Sequence, residues 1–352
     1  MATTLMNILL VHNTRLPVQS YDDAARVVYW LGKMLAQMGH QVYILAKKNT
    51  VCPFATVLVL DDKKPLDAQI PAHIDLVHFH FKPSQEISKP YLITCHENCF
   101  EQCVFDRNTV FVSAQHAMRH GGSVYVHNGI DFSEYGTPVL EARRMYYHFL
   151  GNAEWRGKNV RGAIDLAARL GARLHVIGGT RVNFRKELRI TLTPNVRFHG
   201  VLNPEGRNVL LNTSKGLLFP AIWHEPFGLA VPESLYFGCP VFGTPYGALP
   251  ELLGKKENHK RRKEPGAGII EAYYSEFGCL AVKKSELVEA IKNADAFNAQ
   301  HCQEYAVAHF SSALMAQGYL KLYEKVLNGH FIHEHAPALT EIPEDKFLPF
   351  GD

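Results

Sequence analysis

The sequence predicts an α/β protein of two domains, each a parallel β-sheet covered by helices. Three observations predict it. Short apolar runs alternate with helical patterns along the whole chain, as strands linked by crossover helices do. The pattern stops in a polar stretch between Asp131 and Tyr146, which carries Gly136 and Pro138, and then restarts. The chain has 352 residues, 47% hydrophobic and 20% charged, enough for two buried cores.

Residues 7–12 read as a buried strand. Ala25, Val28, Leu31, Leu35 and Met38 then recur at helical spacing within residues 24–38, and Gly39 is the stop. Strands are expected next at 42–46, 56–60, 74–81, 91–95, 111–113 and 124–126. After the boundary come a strand at 147–150, a glycine-bearing turn, a helix at 160–170 and a strand at 173–177 that runs into Gly178 and Gly179. Strands at 196–198, 216–219 and 240–243 follow, and a last helix at 311–327. The expected domains are 1–140 and 141–330, with the last helix free to pack back on the first. Residues 331–352, with Pro337, Pro343 and Pro349, read as an extended tail. Ligands of such folds bind beyond the carboxyl ends of the strands.

Bulk properties exclude several classes. A net charge of +3 is too small to argue for nucleic acid. No apolar run reaches the length of a membrane span, and the first residues lack a secretory pattern. Seven scattered cysteines fit reduced thiols in a cytoplasmic protein. Cys95, Cys99 and Cys103 are spaced by four, but without a second cysteine pair buried thiols are expected there rather than zinc. The first strand–loop–helix lacks Gly-x-Gly-x-x-Gly, which argues against a dinucleotide dehydrogenase. Lys and Arg crowd residues 255–264. That run reads as a solvated insertion; the alternative is peripheral contact with an anionic membrane or an anionic acceptor.

The chemistry is concentrated in residues 219–234. A strand ends near Phe219, a loop follows, and a helix begins near Leu229. The N–H groups of Phe227, Gly228 and Leu229 are expected to point out of the helix start, where the dipole favours a phosphate. Gly228 permits close approach of the backbone. Glu233, in the first turn, is placed to accept from vicinal hydroxyls such as those of a ribose. Glu225 precedes the helix; a carboxylate beside a diphosphate is electrostatically costly, so it is read as serving sugar hydroxyls. The bland alternatives are that Glu233 complements the dipole and Glu225 is a solvated loop residue.

This segment resembles the E-x7-E signature of retaining glycosyltransferases of family 4 (glycosyl transferases group 1), which have the GT-B fold of two Rossmann-like domains with parallel sheets facing a central cleft. The Glu225–Glu233 spacing matches, as do Glu-Pro-Phe-Gly-Leu from Glu225 and Gly-Cys-Pro-Val from Gly238. Tyr246-Gly247-Ala248-Leu249-Pro250-Glu251 is similar to the loop that follows in that family. Gly39-His40-Gln41-Val42, His78-Phe79-His80, Thr94-Cys95-His96, Asn128-Gly129-Ile130-Asp131 and Phe149-Leu150-Gly151 stand in the family's order, as does the closing helix with Tyr319 and Tyr323. The resemblance implies that Glu233 binds donor ribose, that Glu225 contacts the transferred sugar, and that His96 lies near it. It implies a diphosphate clamp at Lys158, with Arg156 as the fallback. Asn152 stands where the family has an arginine, and Pro17-Val18-Gln19-Ser20-Tyr21-Asp22-Asp23 replaces a loop that often carries Gly-Gly. Asp22 and Asp23 are expected to cap the helix at Ala24 rather than bind acceptor hydroxyls. His78 and His80 are expected to be structural.

The implied reaction moves a hexosyl group from a UDP- or GDP-linked donor to a glycan, lipid-linked or small-molecule acceptor hydroxyl, with retention. No Asp-x-Asp triplet occurs, so neither a metal nor any other cofactor is expected. A sugar-nucleotide epimerase and a nonenzymatic nucleotide-sugar sensor are the other classes compatible with these motifs.

Overall fold

The computed structural model describes residues 5–18, 22–183, 189–190, 193–254, 272–339 and 345–352. Up to Asp131 the chain forms β1 (Asn7–Val11), α1 (Asp23–Gln37), β2 (Gln41–Ala46), β3 (Thr56–Val59), β4 (Leu76–Phe79), β5 (Tyr91–Thr94), β6 (Cys103–Val104), β7 (Thr109–Val110) and α2 (Ala114–Arg119). From Phe132 it forms β8 (Tyr146–Leu150), α3 (Val160–Arg169), β9 (Leu174–Ile177), β10 (Val182–Asn183), β11 (Arg189–Ile190), β12 (Val196–Phe198) and α4 (Pro204–Asn212). Then come β13 (Ser214–Phe219), α5 (Ala230–Tyr236), β14 (Val241–Gly243), α6 (Leu249–Leu252), β15 (Tyr273–Ser275), β16 (Gly278–Leu280), α7 (Lys284–Lys292) and α8 (Ala299–Phe310). The long α9 (Ser312–Leu327) and the short β17 (Ala338–Leu339) follow.

These elements fall into two compact units. The first is Met1–Asp131 with Phe310–Pro343; the second is Phe132–His309 with Glu344–Asp352. The break at Asp131 lies at the edge of the stretch read from sequence. The last helix joins the first unit, the packing the sequence leaves open, and the stretch 331–352 divides between the two units. Within the first unit α9 returns to the sheet: the Tyr323 hydroxyl meets His78 Nδ1 at 2.7 Å, and the Tyr319 hydroxyl meets Thr94 Oγ1 at 2.8 Å. Both tyrosines are fully buried, so α9 is core rather than appendage. The expected extended tail is likewise anchored. Ala338–Leu339 pairs antiparallel with Cys103–Val104. In the second unit the Leu348 N–H donates to Ile222 O at 2.7 Å, and Phe350 packs against the core.

The sheet of the first unit has the order β3-β2-β1-β4-β5-β7, with every pairing parallel. Its core is Leu9, Val11, Leu45, Val77, Phe79 and Ile93 with their neighbours. The sheet of the second unit has the order β12-β9-β8-β13-β14-β16-β15, parallel except for the edge pair β15–β16. Strands buried on both faces explain the uninterrupted apolar runs, such as Leu217-Leu218-Phe219, each 0% exposed. The expected strand at 124–126 reduces to one bridge, Tyr125 to Phe111.

In both sheets the chain order runs outward from the first strand in one direction and then reverses. The reversal lies between β1 and β4 in the first unit and between β8 and β13 in the second. At such a point two successive loops diverge and leave a crevice beyond the strand ends, the favoured place for a ligand in this architecture.

Candidate functional site

The two loops at the reversal of the second sheet carry the acid and base that the sequence singled out. After β8, the turn Arg156–Lys158 leads to Asn159, whose backbone is left-handed at φ 53°. Asn159 caps α3 by accepting from Gly162 N at 3.1 Å, and its Nδ2 donates to Pro220 O at 2.8 Å, tying this loop to the one after β13. Lys158 is thereby aimed across the reversal point. Its Nζ donates to both oxygens of Glu225, at 2.9 and 2.8 Å. Trp223 Nε1 donates to Glu225 Oε2 at 2.8 Å, and the Trp223 ring meets Trp155 edge-on at 4.2 Å. Glu225 is therefore not the solvated residue of the bland alternative: it is 4% exposed.

The backbone around Glu225 is built for this placement. Glu225 bridges to Gly247, and Ala248 N donates to Glu225 O at 2.9 Å. Gly247 has φ +65°, and a Cβ there would stand 2.2 Å from Glu225 O, so only glycine fits. Gly228, at φ +93°, passes against the Glu225 side chain itself. An ion pair this desolvated is costly to build, and replacing one with well-packed apolar residues is often neutral or stabilising. Its position at the reversal of the sheet points to work other than folding.

The helix starts beside Leu229, where the sequence places it. α5 begins at Ala230, with Leu229 as N-cap, and has seven residues, all buried. The side chains of Phe227 and Leu229 are buried at 2% and 1% exposure, so neither offers more than backbone to a ligand. Val231 N donates to Gly228 O and Glu233 N to Leu229 O, while the Gly228 and Leu229 N–H groups meet no acceptor among the described residues.

Glu233 sits deeper than a surface dipole partner. It is 1% exposed. Its Oε1 accepts from Arg207 Nη1 at 3.1 Å and from the Tyr135 hydroxyl. The Arg207 guanidinium lies over the Tyr135 ring, 4.5 Å from its centre. Arg207 and Tyr135 went unnoticed in the sequence, as did Trp223. Asn203-Pro204-Glu205 signals the helix that carries Arg207: Asn203 caps it and Pro204 occupies its first turn. Nothing local marks Arg207 or Tyr135 as partners of Glu233. Arg156, the fallback clamp, is exposed, and its guanidinium lies 4.6 Å from the centre of the Phe347 ring. Of the two basic residues, Lys158 is the one brought to Glu225.

His96 belongs to the first unit, beyond the end of β5. With His12, Asp22, His80, Lys82 and Glu97 it lines a cavity of about 390 Å³ near that unit's own reversal point. Burial drives the His96 imidazole down to about 3, with His12 adding to the effect. Asp22 caps α1 by accepting from Ala25 N at 3.1 Å, as expected. His78 is bonded on both ring nitrogens, to Tyr323 and Thr94, the structural role read from sequence. All seven cysteines are free. Cys95, Cys99 and Cys103 do not share a helix, and no group of three His, Cys, Asp or Glu among the described residues is arranged to hold a metal. The basic run 255–264 lies outside the described residues. No helix among the described residues is long and apolar enough to cross a membrane.

No curated protein matches the chain by sequence. Among solved structures, AviGT4, a glycosyltransferase involved in avilamycin A biosynthesis, is similar over 92% of this chain and 98% of its own, with 20% identity and a TM-score of 0.69. Sucrose-phosphate synthase from Thermosynechococcus elongatus is similar over 92% and 100%, with 17% identity and a TM-score of 0.64. Anabaena HepE in complex with UDP-glucose is similar over 92% and 100%, with 16% identity and a TM-score of 0.60. Residues 139–262, which contain Lys158, Glu225 and Glu233, match the profile of glycosyl transferases group 1. The chain thus has the GT-B fold of two Rossmann-like units, and residues 139–262 of its second unit are similar to glycosyl transferases group 1.

Proposed function

We propose that the protein moves a hexosyl group from a UDP- or GDP-linked donor to an acceptor hydroxyl, with retention of configuration and without a metal. The observation that carries this reading is the buried Lys158–Glu225 pair at the reversal of the second sheet. The HepE complex supports the donor class, since that protein holds UDP-glucose on the same fold.

In this reading the bond between the sugar and the diphosphate breaks with its electron pair going to the diphosphate. Lys158 and the N–H groups of Gly228 and Leu229 stabilise the charge that grows there. Arg156 joins them only if it leaves Phe347. Glu225 orients the transferred sugar rather than attacking it; once Lys158 turns to phosphate, the Glu225 oxygens are free to accept sugar hydroxyls. Glu233, held by Arg207 and Tyr135, receives the ribose hydroxyls. The resemblance, and not a placement of one unit against the other, assigns His96 to the sugar; the acceptor hydroxyl attacks on the face the diphosphate leaves and gives its proton to the departing diphosphate oxygen.

Acceptor-dependent release of nucleoside diphosphate tests the reading. Release should require both donor and acceptor and should survive excess chelator. Donor consumption without any acceptor would favour an epimerase. Activity lost in chelator and regained only with a divalent cation would overturn the metal-free mechanism.

A further inference from the structure

Two of the imidazoles lining the cavity of the first unit touch. His80 Nδ1 and His96 Nε2 are 2.9 Å apart. The ring planes are 24° from parallel, yet the ring centres are 5.2 Å apart. So short a nitrogen–nitrogen distance with such distant centres places the rings edge to edge, near one plane, as a linear N–H···N bond prefers. One nitrogen donates and the other accepts.

The remaining nitrogens fix the direction. His80 is 7% exposed, and its Nε2 has no hydrogen-bond partner among the described residues. A proton there would be a sealed N–H without an acceptor, a costlier and rarer defect than a sealed lone pair. Burial holds both rings neutral: His80 lies well below the ordinary imidazole range, and the nearby His78, His96 and His12 push it further down. His96 is held down in the same way. A neutral His80 therefore keeps its single proton on Nδ1, pointed at His96. The bare nitrogen of His96 is then Nε2, and its own proton is on Nδ1. His96 Nδ1 is not among the sealed polar atoms, and His96 lines the cavity.

His80 is itself well fixed. Its backbone N–H donates to Val11 O at 3.0 Å, and its ring lies 4.2 Å from that of His78, which Tyr323 and Thr94 hold.

We propose that His80 is a positioning residue: it donates Nδ1–H to His96 Nε2, and so presents His96 to the cavity as a neutral N–H donor. The proposal rests on the reading that His96 touches the substrate. It goes further by assigning the chemistry of that contact. His96 gives a hydrogen bond to a ligand oxygen, a sugar hydroxyl being the fitting class, and does not take a proton from it.

The test is spectroscopic and needs no turnover, so it stands apart from the glycosyl-transfer reading. Imidazole nitrogen resonances of the full chain, labelled at histidine, are recorded at pH 7, with His96 assigned by its loss in His96→Gln. The wild type should show a protonated Nδ1 and a bare Nε2 for His96. The near-isosteric variants His80→Asn and His80→Asp separate hydrogen bonding from shape. Asparagine retains an N–H donor and should leave the pattern in place. Aspartate offers only acceptor oxygens and should move the His96 Nε2 resonance into the protonated range. A wild-type His96 protonated at Nε2 would overturn the proposal, as would identical His96 patterns in the two variants.

Discussion

Lys158→Met is expected to lower turnover by about 10²–10³-fold, the usual cost of removing one donor from a developing oxyanion, about 3–4 kcal/mol. Methionine retains much of the apolar stem that carries Nζ to 5.1 Å from the centre of the Phe219 ring, and removes only the charge. The change also leaves the buried Glu225 carboxylate without its bidentate partner. A loss of activity could then reflect a disturbed Glu225 rather than a missing phosphate clamp. The double variant Lys158→Met/Glu225→Gln separates the two. A neutral amide at 225 needs no cation, so a purely structural role for Lys158 predicts that the double variant turns over no more slowly than Glu225→Gln alone. A role on the diphosphate predicts that the double variant is slower still than Glu225→Gln and binds donor more weakly than it does. Coupling between two such groups in contact is what a double-mutant cycle measures.

The largest expected effect on stability is at Arg207. Arg207→Leu strands Glu233 as a buried carboxylate, 1% exposed, with only the Tyr135 hydroxyl remaining from the pair of donors on Oε1. Removing one partner of such a pair costs about 3–5 kcal/mol. In a unit of this size that lowers the midpoint of thermal unfolding by on the order of 10 °C. Adding Glu233→Gln should restore part of the loss, because the group left behind is then uncharged. The same arithmetic governs the choice of probe at the proposed ribose contact, Glu233. Glu233→Ala leaves the Arg207 guanidinium, 8% exposed, buried without its acid, so loss of ligand binding in that variant mixes recognition with unfolding. Glu233→Gln retains the shape and is the cleaner variant. A midpoint unchanged in Arg207→Leu would mean that the ion pair contributes nothing to holding the acid in place.

Much of the fold was legible because parallel strands buried on both faces leave continuous apolar runs. Residues 7–12, 91–95 and 216–219 each became a strand within two residues of their expected ends. What was not legible depends on partners far away in the chain. Pro337 and Pro349 gave the C-terminal stretch the appearance of a tail, yet it pairs with Cys103–Val104 at one end and reaches Ile222 at the other. Short segments that gain order only by docking carry no periodicity to read. The candidate site divides in the same way. Glu225, Gly228 and Glu233 were found from their spacing between a strand and a helix. That Lys158 meets Glu225, rather than standing free, follows from the strand order β8-β13, which places their loops side by side. Arg207 and Tyr135 reach Glu233 from separate segments, and no local pattern announces such a meeting.

The most direct measurement is thermal unfolding of the wild type and Lys158→Met across UDP-, GDP- and ADP-linked sugars. For the wild type, one donor class at a hundred times its Kd should add about 2.7 kcal/mol of stability. The same concentration should add much less to Lys158→Met. If no nucleotide sugar stabilises the wild type at millimolar concentration, or if both proteins respond equally, Lys158 does not face a nucleotide diphosphate in this chain.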